Sequence, residues 1–180
     1  MSNVGKWDKF YANLKKPEHY GDGPGYRVGA EWLADCGTVA DWGCGKGWFR
    51  QFSPGAYAGI DGSKSKFADI VADLATVDHE SDGVFMRGVL EHNYDWQPIL
   101  ANALKSARRK LCLVLFTDWS GTDATVELRF EDDYGVPTLA LGESQVRGML
   151  DGYTYTDERL PSPQTFYGLE HVFRVETWND

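Results

Sequence analysis

Three aspartates, Asp41, Asp61 and Asp73, each close a short apolar run, and the first stands in Val39-Ala-Asp-Trp-Gly-Cys-Gly-Lys-Gly-Trp48. A carboxylate accepts hydrogen bonds from sugar hydroxyls and ring amines. Gly43, Gly45 and Gly47 let a ligand approach the backbone with no Cβ in the way, beside the unpaired N–H groups of a following helix. Asp61 lies 18 residues beyond Gly43, near the ~20-residue offset at which an acidic side chain meets a ribose. A ligand containing a nucleoside is indicated. A glycine turn alone is weak evidence, so the order and spacing of its neighbours have to carry the reading.

The glycine spacing also separates the candidate nucleotides. A dinucleotide fingerprint, G-x-G-x-x-G, needs glycine at position 48, where this chain has Trp48. An indole there obstructs the close helix–strand packing that the third glycine serves. NAD is therefore the weaker reading.

The elements that position these residues follow from periodicity. Trp7, Phe10, Tyr11 and Leu14 predict an apolar helical face within residues 5–20, followed by the breaker-rich loop Tyr20-Gly21-Asp22-Gly23-Pro24-Gly25 and a helix from about Tyr26 to Asp35. Short strands are expected at 39–41, 56–60, 70–72 and 83–86, with short helices at 48–52 and 64–68. An amphipathic helix spans Trp96 to Arg109, and a doubly buried strand spans Leu111 to Phe116. Thr125–Phe130 alternates as a half-buried strand, Gly142–Leu150 reads as helix, and 153–160 and 170–177 read as strands.

Strands alternating with helices predict an α/β fold: a Rossmann-like, mostly parallel sheet flanked by helices on both faces, with a C-terminal antiparallel hairpin at one edge. In such sheets ligands bind beyond the carboxyl ends of the strands. Asp41, Asp61, Asp73 and the run from Arg87 to His92 all fall on that rim. The expected organisation is one domain over 1–180, divided into an N-terminal segment (1–37), a cofactor-binding half (38–118) and an acceptor-side half (119–180).

Composition narrows the classes. At 180 residues, with 42% hydrophobic and 14% aromatic content, the chain buries a core without staples. It has no apolar run near the roughly 20 residues of a membrane helix and no apolar signal core at its start, so a cytoplasmic protein is expected. Cys36, Cys44 and Cys112 fit neither a disulfide framework nor a paired metal site. A net charge of −9 disfavours salt-driven binding to nucleic acid. The one basic cluster, Arg108-Arg109-Lys110, is explained by the predicted C-terminus of a helix, where cations meet the helix dipole.

Residues 39–47 resemble motif I of the class I S-adenosylmethionine-dependent methyltransferases. Gly59-Ile60-Asp61-Gly62-Ser63 resembles motif II, and Val71-Ala72-Asp73-Leu74 resembles motif III. Asp82-Gly83-Val84-Phe85 through Val89-Leu90-Glu91-His92 resembles motif IV and its sequel. The resemblance covers roughly residues 38–118. It implies S-adenosyl-L-methionine as cofactor, with S-adenosyl-L-homocysteine as product. Gly43, Gly45 and Gly47 would border the methionine moiety, with Asp41 at the same turn. Asp61, with Gly62 beside it, would hold the ribose hydroxyls. Asp73 would accept from the adenine amino group, and Leu74 would contact the ring. The Arg87 backbone would meet the methionine amine. Tyr11, Tyr20 and the loop at 21–25 resemble the N-terminal lid of small family members. From the residues alone, Asp41 is equally explained by bonding its own turn, and Asp73 by capping a loop.

The implied reaction moves the methyl to a small-molecule acceptor, at oxygen or nitrogen. The alternatives are a protein or nucleic-acid acceptor, or an inactive S-adenosylmethionine-binding module. An acceptor must shed a proton, and His92 is the best-placed base, with packing or capping after the fourth strand as its other explanation. His171, Asp118, Tyr94 and Glu91 are weaker candidates. The family's Mg2+-dependent members carry Glu-Val-Ile-Glu-His where this chain has Gly88-Val89-Leu90-Glu91-His92, and Gly88 removes a carboxylate ligand, so no metal is expected. There is no Asn/Asp-Pro-Pro-Tyr/Phe motif and no Pro-Cys nucleophile, which argues against nucleobase acceptors. Trp7, Tyr11, Tyr20, Trp96, Trp119, Tyr134 and Tyr167 are available to line an apolar pocket or to fill the core.

Overall fold

The structure, a computed structural model, describes residues 4–21, 23–122, 126–133, 135–163, 165 and 167–178. Its elements are α1 (Asp8–Tyr11), α2 (Gly25–Trp32), β1 (Thr38–Trp42), β2 (Ala56–Asp61), β3 (Ile70–Val71), β4 (Ser81–Arg87), α3 (Trp96–Ser106), β5 (Ala107–Leu115), β6 (Glu127–Glu131), β7 (Pro137–Ala140), α4 (Glu143–Met149), β8 (Thr154–Pro161) and β9 (Leu169–Glu176). Single 3-10 turns occupy Trp48–Gln51 and Leu90–His92.

Seven strands form one sheet in the order β3-β2-β1-β4-β5-β9-β8. The five strands from β3 to β5 in that order pair in parallel, and β9 runs antiparallel between β5 and β8. The predicted mostly parallel α/β sheet with an antiparallel edge is thus what forms. The chain proceeds from β1 to β2 and β3 on one side, then returns to β4 and β5 on the other. That reversal opens a crevice between the tips of β1 and β4, where ligands enter such sheets.

Both faces of the sheet are covered, which explains the uninterrupted apolar runs in its central strands. Leu111, Leu113 and Leu115 of β5 join Trp42, Met86, Leu100, Leu104 and Val146 in one core, beneath α3 and α4. Cys112 and Val114 turn the other way, to Val39, Phe85, Phe49, Tyr26 and Leu33, beneath α2. The three cysteines are free and buried. No helix among the described residues is long and apolar enough to cross a membrane.

Four local expectations are corrected. The periodicity within 5–20 yields only the one-turn α1, because this segment is tied outward: Gly5 N–H donates to the Gly62 carbonyl, Trp7 N–H to Ser63 Oγ and Glu18 N–H to the Lys46 carbonyl. Residues 64–68 are not helical. There Ser65 Oγ accepts from Phe67 N–H and donates to the Gly45 carbonyl, a local alternative to helix. Arg108-Arg109-Lys110 lies on β5, since α3 ends at Ser106, so the helix dipole does not explain it. Arg108 pairs with Glu80, and Arg109 and Lys110 share Asp35. The strand expected at 125–130 pairs with β7 as a separate two-stranded sheet, and it is mostly exposed. Thr125 lies outside the described residues.

Candidate active site

Where β1 ends, the chain must turn sharply beneath the following segment. Gly43 has φ +73°, and a Cβ there would overlap Val89 Cγ2. Gly45 has φ +47°, and its Cβ would stand 2.9 Å from the Tyr20 hydroxyl and 3.0 Å from that of Tyr11. These are left-handed conformations that L side chains rarely adopt. The turn leads into a short helix, as expected at 48–52, but it is a single 3-10 turn over Trp48–Gln51. Trp48 itself lines the cavity described next.

That cavity, about 550 Å³, opens beyond the tips of β1, β2 and β4. It gathers Tyr20, Asp41, Gly43, Asp61, Gly62, Asp73, Leu74, Arg87 and His92, which the sequence places far apart. Gly45 and Gly47, in the same turn, do not line it. Val4, Trp7, Tyr11, Glu18, Tyr20 and Gly21 form the wall supplied by the N-terminal segment. That wall is held by the Tyr20 hydroxyl donating to Tyr11 at 3.2 Å and by the Lys46 ammonium over the Tyr20 ring at 4.5 Å.

The acids differ in their commitments. Asp61 accepts from Gly45 N–H through Oδ2 and from Ser63 N–H through Oδ1, both at 2.8 Å. A carboxylate has about four lone-pair positions, so two remain for other donors. Burial raises its pKa to about 6, against the opposing pull of those two N–H groups. Asp41 accepts from the Tyr57 hydroxyl of β2 at 2.7 Å instead of bonding its own turn, and burial raises its pKa to about 7. Asp73 accepts from Ala75 N–H at 2.9 Å, a loop cap whose carboxylate also borders the cavity.

Arg87 is held by its side chain. Its Nε and Nη2 donate to Glu170 Oε1 at 2.9 and 2.5 Å, Nη1 donates to the Tyr26 hydroxyl, and Nη2 also reaches the Tyr20 and Gly21 carbonyls. Glu170 Oε2 accepts from Gly25 N–H at 2.6 Å. One buried carboxylate on β9 thereby fixes Tyr20, Gly21 and the start of α2 against the tip of β4. A Cβ on Gly23 would collide with Glu170 Oε1 and Ser162 Oγ, so the loop closes only over glycine.

His92 Nδ1 stands 2.8 Å from the Pro137 carbonyl. A carbonyl only accepts, so Nδ1 carries the proton and Nε2 the lone pair. Burial lowers the His92 pKa. Glu91 points away: its Oε1 accepts from Phe116 N–H at 2.6 Å, and burial raises its pKa to about 7. His171 packs on Trp119, Asp118 pairs with Arg159, and Tyr94 donates to Glu131, and none of these lines the cavity. Of the candidate aromatic residues, Trp7, Tyr11 and Tyr20 line it, Trp96 is core and Tyr134 lies outside the described residues. Among the described residues no group of three His, Cys, Asp or Glu side chains is placed to hold a metal ion.

Sequence reasoning missed Tyr26, Phe116 and Thr165 in the lining, and Glu170 behind it. The glycines at 23 and 25 were legible as a loop. Nothing local announced that a carboxylate 145 residues away requires them.

No family model and no curated protein matches the sequence. Solved structures do match the fold. The 1,6-didemethyltoxoflavin-N1-methyltransferase of Burkholderia thailandensis, bound to 1,6-didemethyltoxoflavin and S-adenosylhomocysteine, superposes with a TM-score of 0.68 at 15% identity, over 88% of this chain and 80% of that one. The magnesium protoporphyrin IX methyltransferase of Synechocystis PCC 6803 with bound S-adenosylhomocysteine gives 0.63 at 17%, over 95% and 92%. The YcgJ protein of Bacillus subtilis gives 0.64 at 13%, over 87% and 99%. The likeness is one of fold: the chain shares the architecture of these proteins.

Proposed function

We propose, from a fold shared with S-adenosylmethionine-dependent methyltransferases, that this protein binds S-adenosylmethionine and transfers its methyl group to oxygen or nitrogen of a small-molecule acceptor. The observation that carries the reading is the buried Asp61. It is held by Gly45 and Ser63 N–H groups in a cavity that also gathers Gly43, Asp73 and Leu74, with two lone-pair positions left for ribose hydroxyls.

The residues fit the cofactor. Asp61, beside Gly62, takes the ribose; Asp73 and Leu74 take the adenine end. Gly43 leaves room for the methionine chain, while Gly45 and Gly47 shape the turn beneath it and Asp41 braces it from β1. The Arg87 backbone meets the amine, its guanidinium being committed to Glu170. Tyr20 and Tyr11 close the N-terminal wall as a lid. Bound there, the cofactor supplies a methyl already activated on a sulfonium, so the protein's task is to align the acceptor and exclude water. His92, neutral with its proton on Nδ1, takes the acceptor's proton. No metal enters the reading, and the net charge of −9 disfavours a nucleic-acid partner.

Calorimetric titration with S-adenosylmethionine, S-adenosylhomocysteine and NAD tests the binding half, and exclusive binding of NAD would overturn it. A labelled-methyl assay over metabolite, peptide and nucleic-acid pools tests the transfer half. Label entering only macromolecules would contradict the small-molecule assignment.

A further inference from the structure

With the glycine turn, Asp61 and Asp73 assigned to the cofactor, the remaining part of the cavity lies beyond β4 and β5. Its walls are His92 and Asn93 after β4, Phe116 after β5, Thr165 from the β8–β9 connection and Trp7 from the N-terminal segment. Three of these are rings in succession. Trp7 meets His92 edge to face at 5.8 Å between centroids, and His92 meets Phe116 at 5.4 Å. Tyr167 backs Phe116 at 5.9 Å. Trp7, Phe116 and Tyr167 are half-buried and belong to neither packed core. Rings that line a cavity without filling a core offer flat, polarisable walls to a ligand.

Charge restricts the ligand further. The charged side chains lining the cavity among the described residues are Glu18, Asp41, Asp61, Asp73, Asp95 and Arg87. Arg87 is the lone cation of that set, and its guanidinium is bonded to Glu170, the Tyr26 hydroxyl and two carbonyls. The lowered pKa of His92 keeps that ring neutral. An anionic acceptor would lose its hydration to an acidic lining whose one cationic side chain among the described residues is already bonded.

We infer, resting on the function proposed above, that the acceptor is a small planar aromatic or heteroaromatic molecule, uncharged or cationic, whose ring lies against Phe116 and Trp7 and which bears an O–H or N–H group. In the transfer, the acceptor's lone pair bonds to the methyl carbon as the carbon–sulfur bond breaks and its electron pair stays on sulfur. The acceptor's proton passes to His92 and then to water.

The test uses matched probes on the complex with S-adenosylhomocysteine: 2-naphthol and 6-hydroxyquinoline as neutral rings, 6-hydroxy-2-naphthoate as the same shape with a carboxylate, and decahydro-2-naphthol as the saturated skeleton. Calorimetry should show at least one neutral ring binding about tenfold more tightly than the carboxylate or the saturated alcohol, the size of effect expected of ring–ring contact. Phe116→Leu, which keeps the apolar volume, should remove that preference and leave S-adenosylhomocysteine affinity unchanged. Equal or tighter binding of the carboxylate or saturated probe, binding of neither neutral ring, or a preference that survives Phe116→Leu overturns the inference. Failure of S-adenosylhomocysteine itself to bind, read in the first titration, overturns the cofactor reading and this inference with it.

Discussion

The Arg87 guanidinium and the Glu170 carboxylate meet at 2.5 Å, with side chains 5% and 0% exposed, and join the tip of β4 to β9 beneath the loop that walls the cavity. Removing one partner of a buried pair leaves an uncompensated charge, a loss of about 3–5 kcal/mol. Glu170→Gln keeps an acceptor for Gly25 N–H but strands Arg87. A drop in melting temperature of about 6–20 °C is expected, at roughly 2–4 °C per kcal/mol for a chain of this size. Thermal denaturation checks it, and the double variant Glu170→Gln/Arg87→Met should recover part of the loss.

Gly23 is a second handle on the same loop. A methyl there meets Glu170 Oε1 and Ser162 Oγ, an overpacking that typically costs about 1–3 kcal/mol. Gly23→Ala should lower stability in denaturant titration by that amount. Gly148→Ala, inside α4 with nothing within 4 Å of the added Cβ, should not lower the midpoint and should raise stability by up to about 1 kcal/mol through helix propensity.

On the proposed function, Asp61 should make cofactor affinity depend on pH. Its pKa is about 6, raised by burial, whereas ribose hydroxyls would donate to the ionised form. Binding therefore favours the carboxylate and releases a proton near pH 6. Affinity should be flat above about pH 7 and fall about tenfold per pH unit below 6. Calorimetry in buffers of different ionisation enthalpy reads the proton release directly. The sign for folding is related: a raised carboxyl pKa means the folded state holds the proton more tightly. Asp61 thus favours folding below pH ~4 relative to neutral pH, and that contribution is lost as pH rises through about 6.

On the proposed function, His92 should set the pH dependence of transfer. Its pKa is lowered by burial from the usual 6.5, so the base form predominates at pH 7, and the rate should decline only on acidification below 6.5. His92→Gln should reduce kcat by about 10²-fold, within the range for a positioned base, and abolish that acid limb. Cofactor affinity, measured separately, should not change.

Chelation should be without effect. Position 88 is glycine, and Glu91 is turned to the Phe116 N–H, which leaves a hard cation too few oxygens from this segment. Methyl transfer in EDTA should match the untreated rate, and restoration of a lost rate by Mg2+ would contradict the assignment.

What was legible in the sequence was what depends on neighbours along the chain. Alternation and glycine spacing determined the order of strands, the turn after β1 and the acids at the strand ends, because a strand's period and a glycine's φ are local properties. Asp41, Asp61 and Asp73 reach the same rim because parallel strands end on the same side. The tertiary structure decided the rest. Of the rings at 7–11, Trp7 and Tyr11 face the cavity and Phe10 faces Lys46, and the helix they begin stops after one turn because the segment is tied down on either side, Gly5 N–H to the Gly62 carbonyl and Glu18 N–H to the Lys46 carbonyl. The basic run at 108–110 became strand because β5 pairs there with β4 and β9, and Asp35 and Glu80 then meet its charges. Glu170 became the anchor of a loop 145 residues earlier, and Phe116 a wall, because a buried charge and a ring acquire meaning only from whatever the fold packs against them.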